Sequence, residues 1–588
     1  MNAVPPSIHP VIDAALTRWE RHARPGLPDH GFALGRAEHR QRRGVYDVAT
    51  DRSVFETEDH ILTMSPSPDR VHIAMQLAER ADEDAHLAVL DTASGRLRRF
   101  TDVRCRYDPM LWRADASALE LFARPSSSHI VYRPRSGDVC VSVTPEAATS
   151  RLFPGGAAGL VAISRPGGVT RLIDHSTGRQ IGQLPAVTRV AALTDAVVVD
   201  DGRRLQAMGL EHGDVLWTWE DPEAKITSWT IAGSRVVATA VRAGASVVFE
   251  LDQGHVVTER SVVFRGEPAV ATGIAVDAGR VAVMVEGPTT PPRVLSLDDV
   301  HDAPHQRRLA AASAPVRTLR HVARADDGVQ ISVVVTGPGP DRGPGPLILT
   351  CYGGFGVPAL PIFEPSVPAW AEAGGGYAIA QVRGGGERGA AWRDAGRGDR
   401  KHQAIADLAA AARSLIDSGY TRPDQLVLVG ASHGGVIATS CGLGHPELCA
   451  GIVSTAAPLD LLNLDAHPLG RHWIAEFGTS DTSQGRERLR AISPLHRAQA
   501  LAACSGPLPR FLGVVMDEDS RVSAADTRRV IEALLDAGAD AAIWHAPRTG
   551  HGTNHLDRVH DFAAAVLSFA ASTTGLLTRH TEKADRSS

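Results

Sequence analysis

Two hydrophobic patterns divide the chain. Between about residue 55 and residue 310, short apolar and β-branched runs alternate with turn-forming pairs such as SG, HG, DG and GG. RVHIAMQL (70–77), AHLAVLD (85–91), ALELFAR (118–124), HIVYRP (129–134), DVCVSV (138–143), GLVAIS (159–164), DAVVVDD (195–201), RVVATAV (235–241), SVVFELD (246–252) and RVAVMVEG (280–287) all read as strands. Strand–turn–strand units begin near 65, 108, 150, 188, 225 and 268. A spacing of about 40 residues is that of four-stranded propeller blades. Six units are seen, and GVYDVATDRSVFE (44–56) offers material for a seventh. The pattern predicts an all-β propeller of seven blades; the competing arrangement is a pair of large β-sandwiches.

After about 315 the pattern changes. Strand-like runs at 346–352, 377–382, 425–430, 450–455, 510–516 and 541–546 alternate with Ala-rich amphipathic stretches at 402–419, 434–444, 523–538 and 555–572. Alternating β and α segments predict a mostly parallel sheet covered by helices on both faces. Ile8, Val11, Ile12, Leu16 and Trp19 share one face of a helix over 8–23. The expected organisation is an N-terminal segment (1–54) packed on the catalytic domain, a propeller (55–312), an α/β domain (313–577) and a flexible tail (578–588).

Bulk properties narrow the function. A chain of 588 residues is too long for one core. A net charge of -6 gives no reason to expect nucleic acid or an acidic membrane as partner. Lysine occurs only at 225, 401 and 583, against many arginines. Cysteines 105, 140, 351, 441, 449 and 504 show neither CxxC nor zinc spacing, and read as buried thiols in a reducing compartment with no metal to bind. The first 26 residues lack a basic start followed by an apolar stretch, and no run of about 18 apolar residues occurs. A soluble, cytoplasmic protein without a cofactor is expected.

The chemistry is carried by VGASHGG (429–435), directly after the apolar run 426–429. A strand ending in Gly-x-Ser-x-Gly and opening a helix is the nucleophile elbow of α/β-hydrolases, and Ser432 is its serine. A hydroxyl needs a base, and the base needs an acid to fix its tautomer. In this fold the partners follow in the order Ser, Asp, His on loops after later strands. His551, between Gly550 and Gly552 after the last strand, is the candidate base. Asp517 and Asp519 both follow strand 510–516, and position does not choose between them. The backbone N–H of His433 is the expected first oxyanion donor. Tyr352, at the end of strand 346–352, is a candidate second.

Several separated motifs then agree. YGGFG (352–356), RGGGERG with Trp392 (383–392), GASHGG (430–435), HWIAEFG (472–478), SPLH (493–496), DSRV (519–522) and GHG (550–552) keep their order over about 200 residues. In these the chain resembles the prolyl oligopeptidase family of serine peptidases, which also carries a propeller before its hydrolase domain. The resemblance implies Asp519 as the triad acid and Tyr352 as an oxyanion donor. It implies Arg521 as the holder of a substrate carbonyl, Trp473 as the plate under a proline ring, and Phe355, Phe477 and Val522 as further walls of that pocket. Flat apolar walls are the available means of selecting a ring that has no donor. Departures are His433, where the family has asparagine, Arg388 in place of an aromatic residue, and a shorter N-terminal half.

The sequence therefore predicts a monomeric serine endopeptidase cleaving short peptides after proline, a leader segment of a peptide product among the candidate substrates. One alternative keeps the machinery but changes specificity: Glu476 would receive a basic side chain, or the enzyme would be an acylaminoacyl peptidase or esterase. Another is a non-catalytic propeller scaffold. RGGGERG lacks the Lys-Ser/Thr of a phosphate loop, HGTNH lacks the glutamate of a zinc site, and HPLGRH (467–472) reads as part of a lid.

Overall fold

The computed structural model describes residues 9–576 apart from 23, 37–43, 81–82, 124–126, 144–150, 155–159, 165–168, 175–178, 185–188, 194–195, 210–213, 265–266, 301–315, 468, 502–505 and 552–558. Ile8, Cys504, Gly552 and the tail from 578 lie outside the described residues. None of the described helices is long and apolar enough to cross a membrane.

The first half is a propeller. Four-stranded antiparallel sheets occupy 60–105, 110–143, 151–184, 189–220 and 224–261, and three-stranded sheets occupy 32–56 and 270–296. Each sheet runs strand to neighbouring strand, and the first strands of successive sheets lie side by side. Central strands such as Arg235–Arg242 and Ala245–Asp252 are buried on both faces, because blades pack against blades. Their Val-rich runs are therefore mostly apolar, with Thr239 and Glu250 among the buried polar exceptions. Outer strands such as Asp138–Val143 and His255–Ser261 face solvent and mix in polar residues. The last sheet meets the chain leading into the first without sharing a strand: Gly31 N–H donates to Asp277 Oδ1 at 3.1 Å.

The second half is an eight-stranded sheet. Its strands, numbered in chain order, are β1 (Arg317–Arg324), β2 (Gln330–Gly337), β3 (Leu347–Cys351), β4 (Gly376–Gln381), β5 (Leu426–Ala431), β6 (Gly451–Thr455), β7 (Arg510–Met516) and β8 (Ala541–Ala546). The spatial order is β1-β2-β4-β3-β5-β6-β7-β8. The first two pairings are antiparallel and the remaining five are parallel. This is the α/β-hydrolase arrangement that the alternating pattern predicts. The pattern did not reveal β1 and β2. β1 reads RTLRHVAR, and its polar residues suit an edge strand more than a buried run.

Ten α-helices lie among the described residues: α1 (Pro10–Glu20), α2 (Ser366–Glu372), α3 (Gly389–Asp394), α4 (Lys401–Asp417), α5 (His433–Gly444), α6 (Gly470–Phe477), α7 (Ser483–Ile492), α8 (Pro494–Leu501), α9 (Ala525–Asp536) and α10 (Val559–Thr574). α4 and α5 pack on one face of the sheet and α10 on the other. α1 is shorter than the apolar face suggested, because Pro10 sets its start. It buries Ile12, Ala15 and Leu16 against α2 and α10. His560 of α10 bonds Asp13 at 3.0 Å and Glu20 at 2.8 Å, and Trp19 Nε1–H donates to Glu372 at 3.0 Å.

Candidate active site

Ser432 connects β5 to α5 with φ +52° and ψ -123°. A non-glycine residue is strained there, and the surroundings must hold it. Its N–H donates to Thr455 O of neighbouring β6 at 2.8 Å. A Cβ on Gly430 would lie 2.1 Å from Gly434 O, and one on Gly434 2.4 Å from Cys351 O. The two glycines let the turn close on itself and on the end of β3, which projects the serine over the C-terminal edge of the sheet.

The acid and base come from the loops after β7 and β8, the last two strands of the sheet. His551 Nε2 lies 3.1 Å from Ser432 Oγ, and its Nδ1 lies 2.7 Å from Asp519 Oδ2. The other oxygen of Asp519 accepts the N–H groups of Arg521 and Val522 at 2.8 and 2.9 Å. Both side chains are nearly buried, at 10% and 5% exposed. Asp517 points elsewhere and bonds the Nδ1 of His545 at 2.9 Å near the surface. Two carboxylates that sequence position left equal are thus separated: one faces His551, the other a surface histidine.

Tyr352 follows β3, the strand beside β5, so its ring stands next to the elbow. Its hydroxyl stands close enough to the Ser432 side chain for that serine to influence the phenol's ionisation. Burial and the nearby Glu476 carboxylate push the phenol above its ordinary pKa, so it remains a donor at neutral pH. His433 opens α5, where a backbone N–H has no acceptor one turn back in its own helix. Its side chain is buried. Nδ1–H donates to Tyr352 O at 2.8 Å, and Nε2 has no hydrogen-bond partner. Burial, helped by the charge of Lys401, holds this imidazole well below its usual pKa and neutral.

Around His433 the aromatic side chains collect. Phe477 stacks on it with centroids 5.0 Å apart, Phe355 meets it edge-on at 5.5 Å, and Tyr352 lies at 5.6 Å. Trp473 lies one turn before Phe477 on the same face of α6, its ring 5.5 Å from His467. Val522 is buried on the loop that carries Asp519. Phe355 also lines a crevice of about 270 Å³ between the propeller and the α/β domain, opposite Asp221 and Lys225. His467 is a buried tie rather than part of a lid: Nε2 lies 3.0 Å from Asp526 Oδ2, and Nδ1 accepts Ser523 N–H at 3.0 Å.

Three residues of the site region were not signalled by any motif. Lys401, at the start of α4, is buried and pairs with Glu476 Oε1 at 2.5 Å. Glu83, on a propeller loop, is 3% exposed and accepts Arg521 Nη2 at 2.7 Å. Arg106 also pairs with Glu83 and reaches Ser520 Oγ at 3.1 Å. Each pairing joins residues far apart in sequence. Lys401 is one of three lysines in the chain, but that rarity reads as compositional bias and carries no functional weight.

Residues 362–576 match the model of the prolyl oligopeptidase family. Prolyl endopeptidase of Elizabethkingia miricola is 31% identical over 239 residues, which are 40% of this chain and 33% of that protein. The aligned part thus spans about a third of that relative's length. Over nearly the whole chain the likeness is one of fold. A solved prolyl endopeptidase structure superposes with a TM-score of 0.80 at 22% identity, covering 96% of this chain and 92% of that one. Oligopeptidase B from Leishmania major superposes with a TM-score of 0.78 at 15% identity, covering 96% and 89%.

Proposed function

We propose, from a C-terminal domain that belongs to the prolyl oligopeptidase family, that the protein is a serine endopeptidase cleaving short unstructured peptides on the C-terminal side of proline. The observation that carries this reading is the unbroken chain of contacts from Asp519 through His551 to Ser432. Ser432 Oγ attacks the scissile carbonyl while His551 Nε2 takes its proton. Asp519 keeps the proton of His551 on Nδ1 and stabilises the imidazolium that forms. Tyr352 O–H and the His433 N–H stabilise the oxyanion. As the tetrahedral species collapses, the C–N bond breaks and His551 returns the proton to the leaving amine. Water, activated by the same histidine, then hydrolyses the acyl-enzyme.

Phe355, Phe477, Trp473 and Val522 are the proposed walls for the proline ring, and Arg521 the proposed donor to a substrate carbonyl. The propeller caps the site and favours slim, unfolded peptides; the proposed enzyme acts as a monomer. Specificity for basic residues, the alternative raised by Glu476, is disfavoured by the Lys401–Glu476 pair. A carboxylate already neutralised beneath His433 and Phe477 has little left to offer an incoming cation.

The test is a matched set of quenched peptides with Pro, Ala, Phe or Arg before the scissile bond, assayed with wild type and Ser432→Ala. Cleavage after Pro is expected to dominate and to fall by about 10⁴-fold or more in the variant. Cleavage after Arg would move the specificity to Glu476, and equal rates in both proteins would remove the serine mechanism.

A further inference from the structure

We infer that Lys401 is a positioning residue for the oxyanion hole, fixing the Tyr352 loop and the Phe477 helix relative to one another; the inference rests on the serine-peptidase reading above. Neither Lys401 nor Glu476 takes part in the proposed proton transfers, yet both are almost wholly buried beneath the site, at 1% and 3% exposed.

Two of the three ammonium protons of Lys401 have assigned acceptors. One is Glu476 Oε1 at 2.5 Å, on α6; the other is Gly353 O at 3.2 Å, on the loop after β3. Gly353 is the residue next to Tyr352. The carbonyl of Tyr352 itself accepts His433 Nδ1–H at 2.8 Å. The oxyanion segment is therefore gripped from below at two successive carbonyls, once from the helix that follows the nucleophile and once from α4. On the other side, Glu476 immediately precedes Phe477, whose ring stacks on His433 and lies 5.8 Å from Lys401 Nζ. One cation thus reaches both the segment that would stabilise the oxyanion and the helix that would wall the proline pocket.

Energetics favour a geometric role over a stabilising one. Burying two charges is costly, and apolar residues of similar size usually serve stability as well or better. A buried ion pair does supply direction: its hydrogen bonds hold their partners at set distances and angles. Tyr352 needs that precision, because an oxyanion donor acts only when aimed at where charge develops.

The test is a double-mutant cycle on the peptide that wild type cleaves best. Lys401→Met/Glu476→Leu replaces the pair by apolar residues and guards against the unfolding expected when one charge is left alone; Lys401→Met is measured beside it. Folding is checked by circular dichroism and thermal unfolding. Expected is a folded paired variant whose kcat falls by about 10²-fold with KM nearly unchanged, since the lost contact acts in the transition state. Tyr352→Phe should lower kcat by a similar factor in wild type but by less than about threefold in the paired variant, whose tyrosine is already misaimed. Full additivity of the two changes, or wild-type kcat in the folded paired variant, would overturn the inference. Tyr352→Phe and Ser432→Ala with undiminished activity in the wild-type background would instead overturn the serine-peptidase reading beneath it.

Discussion

The residue after the nucleophile shows how one substitution reshapes its surroundings. His433 is larger than the asparagine that the family resemblance leads one to expect, and the structure accommodates it among three aromatic rings and against bare backbone. A Cβ on Gly354 would lie 2.6 Å from three atoms of the imidazole. Gly354→Ala is therefore expected to push the ring off Phe477, cost about 1–3 kcal/mol as overpacking does, and lower kcat through Tyr352. Urea unfolding together with steady-state kinetics checks both parts. At this scale the sequence was legible where a motif fixes the backbone, as at Ser432. Where two positions share one loop, position alone did not choose; the DSRV resemblance favoured Asp519, and the fold turns Asp519 toward His551 and Asp517 toward His545.

Among the elements, α1 shows how a helix from the far end of the chain is held. Its apolar face is legible as a 3.6-residue period, but the polar contacts at its rim are not. His560, at the start of α10, sits between Glu20 and Asp13. Hydrogen bonding to Glu20, aided by both carboxylate charges, pushes its pKa up to about 9. The ordinary value is about 6.5. A raised histidine adds stability that is fully present below pH 6.5 and lost as pH rises through about 9. Hydrogen exchange in α1 is expected to quicken between those limits beyond the intrinsic increase, and His560→Gln should abolish that extra pH dependence. The strands taught a similar lesson. Most buried central strands announced themselves as apolar runs, although β2 (QISVVVTG) was missed; β1, edge-exposed and rich in arginine, carried no such signature.

For the whole molecule, the contacts between propeller and α/β domain are of two chemical kinds. The hairpin tip at Gly244 is bonded through its carbonyl to Arg320 at 2.7 Å and Gln381 at 3.2 Å. Near the catalytic loop, Glu83 and Arg80 face Arg521 and Glu518 as ion pairs. Salt screens the second kind far more than the first, the more so because the arginines are partly exposed. Glu83→Gln should release Arg521, raise KM for peptides severalfold and flatten the dependence of KM on added salt, measured between about 0.05 and 0.5 M sodium chloride, where the screening length falls below about 10 Å. Repeating units and alternating β/α segments made both architectures readable from sequence. The pairings across the interface were not readable, because Glu83 and Arg521 are separated by 438 residues.

That separation is greater still for α1, whose histidine partner stands 547 residues after Asp13. A ribosome adding about 5–20 residues per second would take roughly half a minute to two minutes to deliver α10. Through that interval the face bearing Ile12 and Leu16 has been made while its binding surface is incomplete, α2 coming first and α10 last. α1 is made long before its docking surface is complete, so a growing chain carries a greasy handle for most of the time between the two, and a chain broken off before α10 never fully puts it away.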